Sequence, residues 1–162
     1  MKIQQLPMII LIMIVAGLAL LQTACDSGVH DISTIDGIVL ELRANRSQAQ
    51  VDVPVQIQFT IRNTSKKTIV FESQNSPVMD IVVKESGGGL LLSWSDQNPD
   101  KVTHHIEWKS GESKTIELTW LPKPGDIYVG YRRDIDLEGH LSSNSKSIRS
   151  ASVRICASDI CR

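Results

Sequence analysis

What this 162-residue sequence lacks narrows its class first. Neither sign of charge is in excess, with 17 Lys and Arg against 18 Asp and Glu. Phosphate binding needs a net positive face, so a nucleic-acid partner is not expected. An acidic disordered tail is excluded by the same balance. The chain has no internal repeat and no low-complexity tract, and beyond its first two dozen residues no sustained 3.6-residue apolar period. Catalytic signatures are missing as well. There is no Gly-x-Ser-x-Gly elbow. Gly87-Gly88-Gly89 is followed by neither Lys-Ser/Thr nor a helical pattern, so it does not read as a phosphate cradle. Cysteines number only three.

What is present begins with an uneven apolar distribution. Of the first 24 residues, 17 are apolar and Lys2 is the only charge. The uninterrupted run Leu6–Leu21 is 16 residues long. As a helix it covers roughly 24 Å, short of a hydrocarbon core of about 30 Å, so its length suits a secretory signal helix better than a stable span. Leu21-Gln22-Thr23-Ala24-Cys25 comes next and resembles a bacterial lipobox, with Gln22 where Leu is usual. That resemblance implies a signal peptide over 1–24, lipid on Cys25 as the membrane anchor, and a cell-envelope protein facing outside the cytoplasm. An uncleaved signal anchor is the alternative. Removing the leader leaves 16 basic against 18 acidic side chains. An electrostatic hold on anionic lipid is then unsupported, and the anchor is Cys25.

With Cys25 lipidated, Cys156 and Cys161 remain. An even remainder in an exported domain reads as a disulfide. Five extended residue steps separate Cα atoms by roughly 16 Å, and a disulfide wants about 4.4–6.8 Å, so the chain must turn at Ser158-Asp159. Closing so small a loop contributes about 2 kcal/mol in the chain-entropy model. Two free thiols are the alternative. A metal site is not expected from two thiols with no His in the segment.

The body reads at period two. In Val51–Asn63, Val53, Val55, Ile57, Phe59 and Ile61 share one face, and Gln56, Gln58, Thr60 and Arg62 share the other. Further short strands are predicted near 37–43, 69–73, 78–84, 90–95, 102–108, 113–121, 127–135 and 148–156, with turn residues between them. Residues 25–36 read as a polar tether, and 138–146 as a polar connection. The division is a signal peptide (1–24), a tether (25–36) and one domain (37–162). Eight or nine strands at this spacing predict an all-β, antiparallel β-sandwich preceded by a signal helix.

An ordered series of landmarks adds a family. It comprises Asn63-x-Ser65, Phe71, Ser73-Gln74, Asp80 with Val82 and Val83, Trp94-Ser95, Gly111-Glu112-Ser113, Leu118-x-Trp120, Pro124-Gly125 and Tyr128. Residues 51–133 thereby resemble the BsuPI-type intracellular proteinase inhibitor domain. The resemblance implies an immunoglobulin-like sandwich and, as one reading, proteinase inhibition. The chain differs from the family in Met79, where an aromatic is usual, and in a Gly125–Tyr128 spacing one residue longer.

Other candidates read as structural. His104 and His105 are adjacent on a predicted strand and point to opposite faces, so they cannot chelate one ion jointly. His30 falls in the tether and His140 in the polar connection. Asp96-Gln-Asn98-Pro-Asp100 lacks the Gly and the twelfth-position Glu of a calcium loop. Asp80 suits a turn hydrogen bond, and Trp94, Trp108 and Trp120 suit packing. No catalytic residue, metal, cofactor or small-molecule substrate is expected, and the chain is not expected to be an enzyme. The reading is a membrane-anchored protein-binding module, with proteinase inhibition through Ser73–Pro77 or Glu85–Gly89 as the alternative.

Overall fold

The computed structural model describes residues 28–144 and 149–161; Cys25 and the predicted signal helix lie outside them. Ten strands run through the described residues in chain order: β1 (Val29–Ile35), β2 (Ile38–Ala44), β3 (Val55–Asn63), β4 (Ile69–Glu72), β5 (Met79–Glu85), β6 (Leu90–Ser93), β7 (His105–Trp108), β8 (Ser113–Trp120), β9 (Asp134–Leu141) and β10 (Arg149–Cys156). One helical turn, α1 (Trp94–Gln97), comes after β6. One sheet has the order β1-β2-β3-β8, the other β10-β9-β5-β6, and β4 and β7 form a separate ribbon. Every paired strand is antiparallel. The fold is therefore the all-β sandwich that the period-two pattern predicts.

The alternation in β3 explains the core. Val55, Ile57, Phe59 and Ile61 are buried and Gln56, Gln58 and Arg62 are exposed. They meet Leu40 and Leu42 of β2 on one side and Ile81, Val83, Ile135 and Leu137 of the second sheet, all in one apolar cluster. Burying each such side chain stabilises the fold by about 1.5–3 kcal/mol. The Phe59 ring fills the space above Gly139, where any Cβ would overlap it.

Three segments differ from the sequence reading. The expected tether contains β1, paired along its whole length with β2. Asp36 and Gly37 both have positive φ, 50° and 78°, as a two-residue hairpin turn requires. The first four residues of the connection expected over 138–146, Glu138–Leu141, belong to β9. The acids of β9 form the outer face of the strand: Glu138 pairs with Lys84 at 2.7 Å and Asp136 with Arg154 at 2.7 Å, while Ile135, Leu137 and Leu141 point inward. Gly139 takes an inward position and masks the apolar period. His140 accordingly lies on β9, 2.8 Å from Glu138, and His30 on β1. The strand expected over 127–135 begins only at Asp134, because residues 127–133 bond to the C-terminal turn instead of to a sheet.

Several landmark residues are turn fasteners. The buried Asn63 amide donates to the Lys67 and Trp108 carbonyls at 2.7 and 3.1 Å, and its oxygen accepts from the Ser65 N–H and hydroxyl. Asp80 accepts from the Ser95 N–H at 3.0 Å and the Ser95 hydroxyl at 2.7 Å, tying α1 to β5. Trp94, Trp108 and Trp120 are all buried, and Phe71 meets Trp108 edge to face at 5.6 Å.

Candidate functional site

Strand register sorts the loops into two ends. β1 starts opposite Ala44, and Gly28 sits so close to Ala44 that a Cβ there would lie 2.6 Å from its carbonyl oxygen. From Ala44 the chain enters segment 45–54, whose Ala49 N–H donates to the Cys156 carbonyl at 2.8 Å. Cys156 lies opposite Asp134, and Glu85 opposite Ile135. The end where the described chain enters thus gathers segment 45–54, the β5–β6 turn, the β8–β9 connection and the C-terminal turn. The far end gathers Asp36-Gly37, Thr64–Thr68, Lys109–Glu112, Ser73–Pro77 and Ser142–Asn144. The two loops named from sequence, Ser73–Pro77 and Glu85–Gly89, flank β5 at opposite ends and cannot form one surface.

At the entry end a disulfide joins Cys156 to Cys161, with Cα atoms 6.0 Å apart. The turn it closes straps the 127–133 segment. Tyr128 N–H donates to the Ala157 carbonyl at 3.0 Å, Asp159 N–H to the Tyr128 carbonyl at 3.1 Å, and Ala157 N–H to the Arg133 carbonyl at 2.8 Å. Asp159 Oδ1 accepts from Gly130 N–H at 2.9 Å, and the Ser158 hydroxyl donates to the Tyr131 carbonyl at 2.7 Å. Glu85 links this segment to the β5–β6 turn. Its carboxylate accepts from the Tyr128 hydroxyl and from Arg133, whose guanidinium lies 4.1 Å over the Tyr128 ring. The hydrogen bond to Glu85 holds the Tyr128 phenol above its ordinary range. Despite this fastening the side chains at the tips are apolar and wet: Val129 is 76 % exposed, Tyr131 54 % and Ile160 50 %.

The far end is fastened and polar. The Ser73 and Ser76 hydroxyls are 2.8 Å apart, and His104 Nδ1 lies 3.1 Å from both the Ser73 and Ser76 carbonyls. Gln74 N–H donates to Asn144 Oδ1 at 2.8 Å. Gln74 and Asn75 are exposed, and among the described residues of these turns no large apolar side chain stands out. His105 pairs with Glu72 at 3.0 Å, so the two histidines serve different partners. Asp96 and Asn98 belong to α1 and its cap, where Asp96 N–H donates to Ser93 and the Asn98 amide to the Trp94 carbonyl. Among the described residues no group of three His, Cys, Asp or Glu is placed to hold a metal ion. None of their helices is long and apolar enough to cross a membrane.

The pair Tyr128–Arg133 around Glu85 carries no sequence signal of its own. Tyr128 is visible only as a landmark, and the strand expected over its segment hides the loop. Between β8 and β7 a cleft of about 410 Å³ is lined by Met79, Trp94, Ile106 and Ile116, and its rim lysines are engaged by Asn98 and Glu112.

Comparison with known proteins adds three findings. The family model described as BsuPI, intracellular proteinase inhibitor, matches residues 40–132. Among solved structures, the crystal structure of the C-terminal domain of wzt is similar at a TM-score of 0.46 and 9 % identity, covering 84 % of this chain and 80 % of that one. No curated protein matches the chain.

Proposed function

The chain belongs to the BsuPI intracellular proteinase inhibitor family, and on that premise we propose that it is a non-catalytic protein-binding module whose partner is a proteinase, tethered outside the cytoplasm by lipid on Cys25. The observation that carries the partner is the match over residues 40–132, which runs from β2 to the approach to β9. The lipid rests on the leader and on Leu21–Cys25. The disulfide is compatible with an exported domain.

Of the two loops that could enter a cleft, Ser73–Pro77 is the better suited. Its backbone is held on one side by His104 and on the other by Asn144, so it loses little freedom on docking. It also lies at the end remote from Gly28, and therefore remote from the anchor. Glu85–Gly89 lies at the anchored end.

The test is inhibition of a subtilisin-type serine endopeptidase by the purified chain. Slowing at micromolar concentration is expected, with Asn75→Arg weakening it at least tenfold and Ser86→Ala, in the loop at the opposite end, leaving it unchanged. No slowing of any such proteinase contradicts the inhibitor reading. Absence of incorporated palmitate contradicts the lipid reading.

A further inference from the structure

We infer that the entry end of the sandwich is a membrane-contacting surface, resting with its apolar tips in the outer layer of the bilayer that carries the Cys25 lipid. This rests on the lipid reading above.

Two independent observations converge on that end. The first is chain length. From Cys25 to Gly28 there are three residue steps, at most about 11 Å when extended. Gly28 lies against Ala44, at the base of the sandwich. The hairpin partner β1 occupies most of the residues expected to form a tether, so little slack is left. A lipid on Cys25 therefore holds this end within about one headgroup layer of the acyl chains.

The second is the placement of wet apolar side chains. Eight large apolar residues are exposed among the described residues, and six of them stand at this end: Val51, Leu90, Leu121, Val129, Tyr131 and Ile160. The other two, Ile32 and Val70, are on β1 and β4. Concentration of exposed apolar side chains marks an interaction surface. Lipid fits this one best, because apolar groups embed shallowly at the headgroup boundary and tyrosine favours that layer. The charges here do not favour an electrostatic hold. Arg132 faces Asp134 and Arg154 faces Asp136, so their charge is largely matched. Contact is through apolar side chains and should be insensitive to anionic lipid and salt.

The strap gives the surface its rigidity. Five backbone groups between Tyr128 and Arg133 already bond to residues 157–159. They are unavailable to pair with an extended partner strand, and Gly130 has a φ of 80°, which breaks the extended conformation such pairing needs. A proteinase cleft is therefore the less suitable occupant of this end.

The test uses the full chain, purified from membranes and reconstituted in phosphatidylcholine vesicles with and without brominated acyl chains. Val129→Cys and Asn75→Cys each carry a nitrobenzoxadiazole probe. Both positions are exposed, so neither substitution disturbs the core. Quenching at 129 several-fold stronger than at 75, unchanged by salt or added phosphatidylglycerol, supports the inference. Equal quenching, deeper quenching at 75, or a 129 probe shielded by added subtilisin instead of by lipid overturns it. Palmitate incorporation, read on the same material, separates the two claims. An acylated chain with a shallow 129 overturns this inference alone. A chain without palmitate but with a deep 129 overturns the lipid reading alone.

Discussion

The far end of the sandwich is closed by polar side chains buried beneath its turns; the entry end is closed by a covalent loop beneath exposed apolar tips. At the far end Asn63 joins three segments, the 64–68 turn, β7 and the 109–112 turn, through its side chain and backbone. At the entry end the corresponding work falls to the Cys156–Cys161 turn, which holds residues 128–133 mainly through backbone groups. The first device is part of the family-matched span. The second, in residues 157–161, lies beyond its limit at 132. The matched residues thus carry the far-end pin and most of the exposed apolar tips of the entry end, while the strap beneath those tips is supplied by the C-terminal segment after them.

Asn63→Ala is the hardest blow to the far end. It strands the buried Trp108 carbonyl, at a cost of about 1–3 kcal/mol, and also removes the bonds that tie the Lys67 carbonyl and the Ser65 N–H to the strand end. A loss of about 3 kcal/mol in urea unfolding is expected. A loss below about 1 kcal/mol would erase the distinction between the ends, because the polar pin would then be dispensable.

Replacing Cys156 and Cys161 together by serine should cost about 2 kcal/mol. Its mark is local: amide exchange should rise across 127–133 and stay unchanged across 63–68. Equal rises at both ends would show that the strap acts on the whole sandwich. Asp159→Ala removes the acceptor of the Gly130 N–H and should cost about 1 kcal/mol, with faster exchange confined to the same segment.

The two ends also differ in how legible they are in the sequence. The alternation of Val55, Ile57, Phe59 and Ile61 exposes β3 and the sandwich at once, and Asn63-x-Ser65 stands out at the far end as a landmark. Val29–Ile35 reads as a tether because polar Asp31 and Ser33 dilute its apolar period, yet Asp36-Gly37 before Ile38 is a hairpin signal. β9 escapes the period-two pattern because Gly139, placed inward to admit the Phe59 ring, interrupts it, and because its ion-paired outer face looks like a loop. The entry surface is illegible for a different reason. Val51, Leu90, Leu121 and Val129 are scattered through the chain, and only strand register brings them to one end.

The smallest effect is a pH limb at the entry end. Hydrogen bonding to Glu85 raises the folded Tyr128 pKa above the ordinary value of 10.0. A raised folded pKa stabilises the fold fully below the unfolded value, and that contribution is lost as pH rises through the folded value. Glu85→Gln should move phenolate formation at Tyr128 back toward the ordinary value in an ultraviolet titration. An unchanged titration would mean that Glu85 does not hold the loop.

The proposed arrangement, one end on lipid and the other free to meet a partner, is read out in place by chemical labelling. Val129→Cys and Asn75→Cys chains, in their own membranes, are treated with a membrane-impermeant maleimide applied to the face that carries the domain. Rapid labelling at 75, with labelling at 129 only after detergent, is the predicted result. Equally rapid labelling at both positions, or protection at 75 alone, would contradict it.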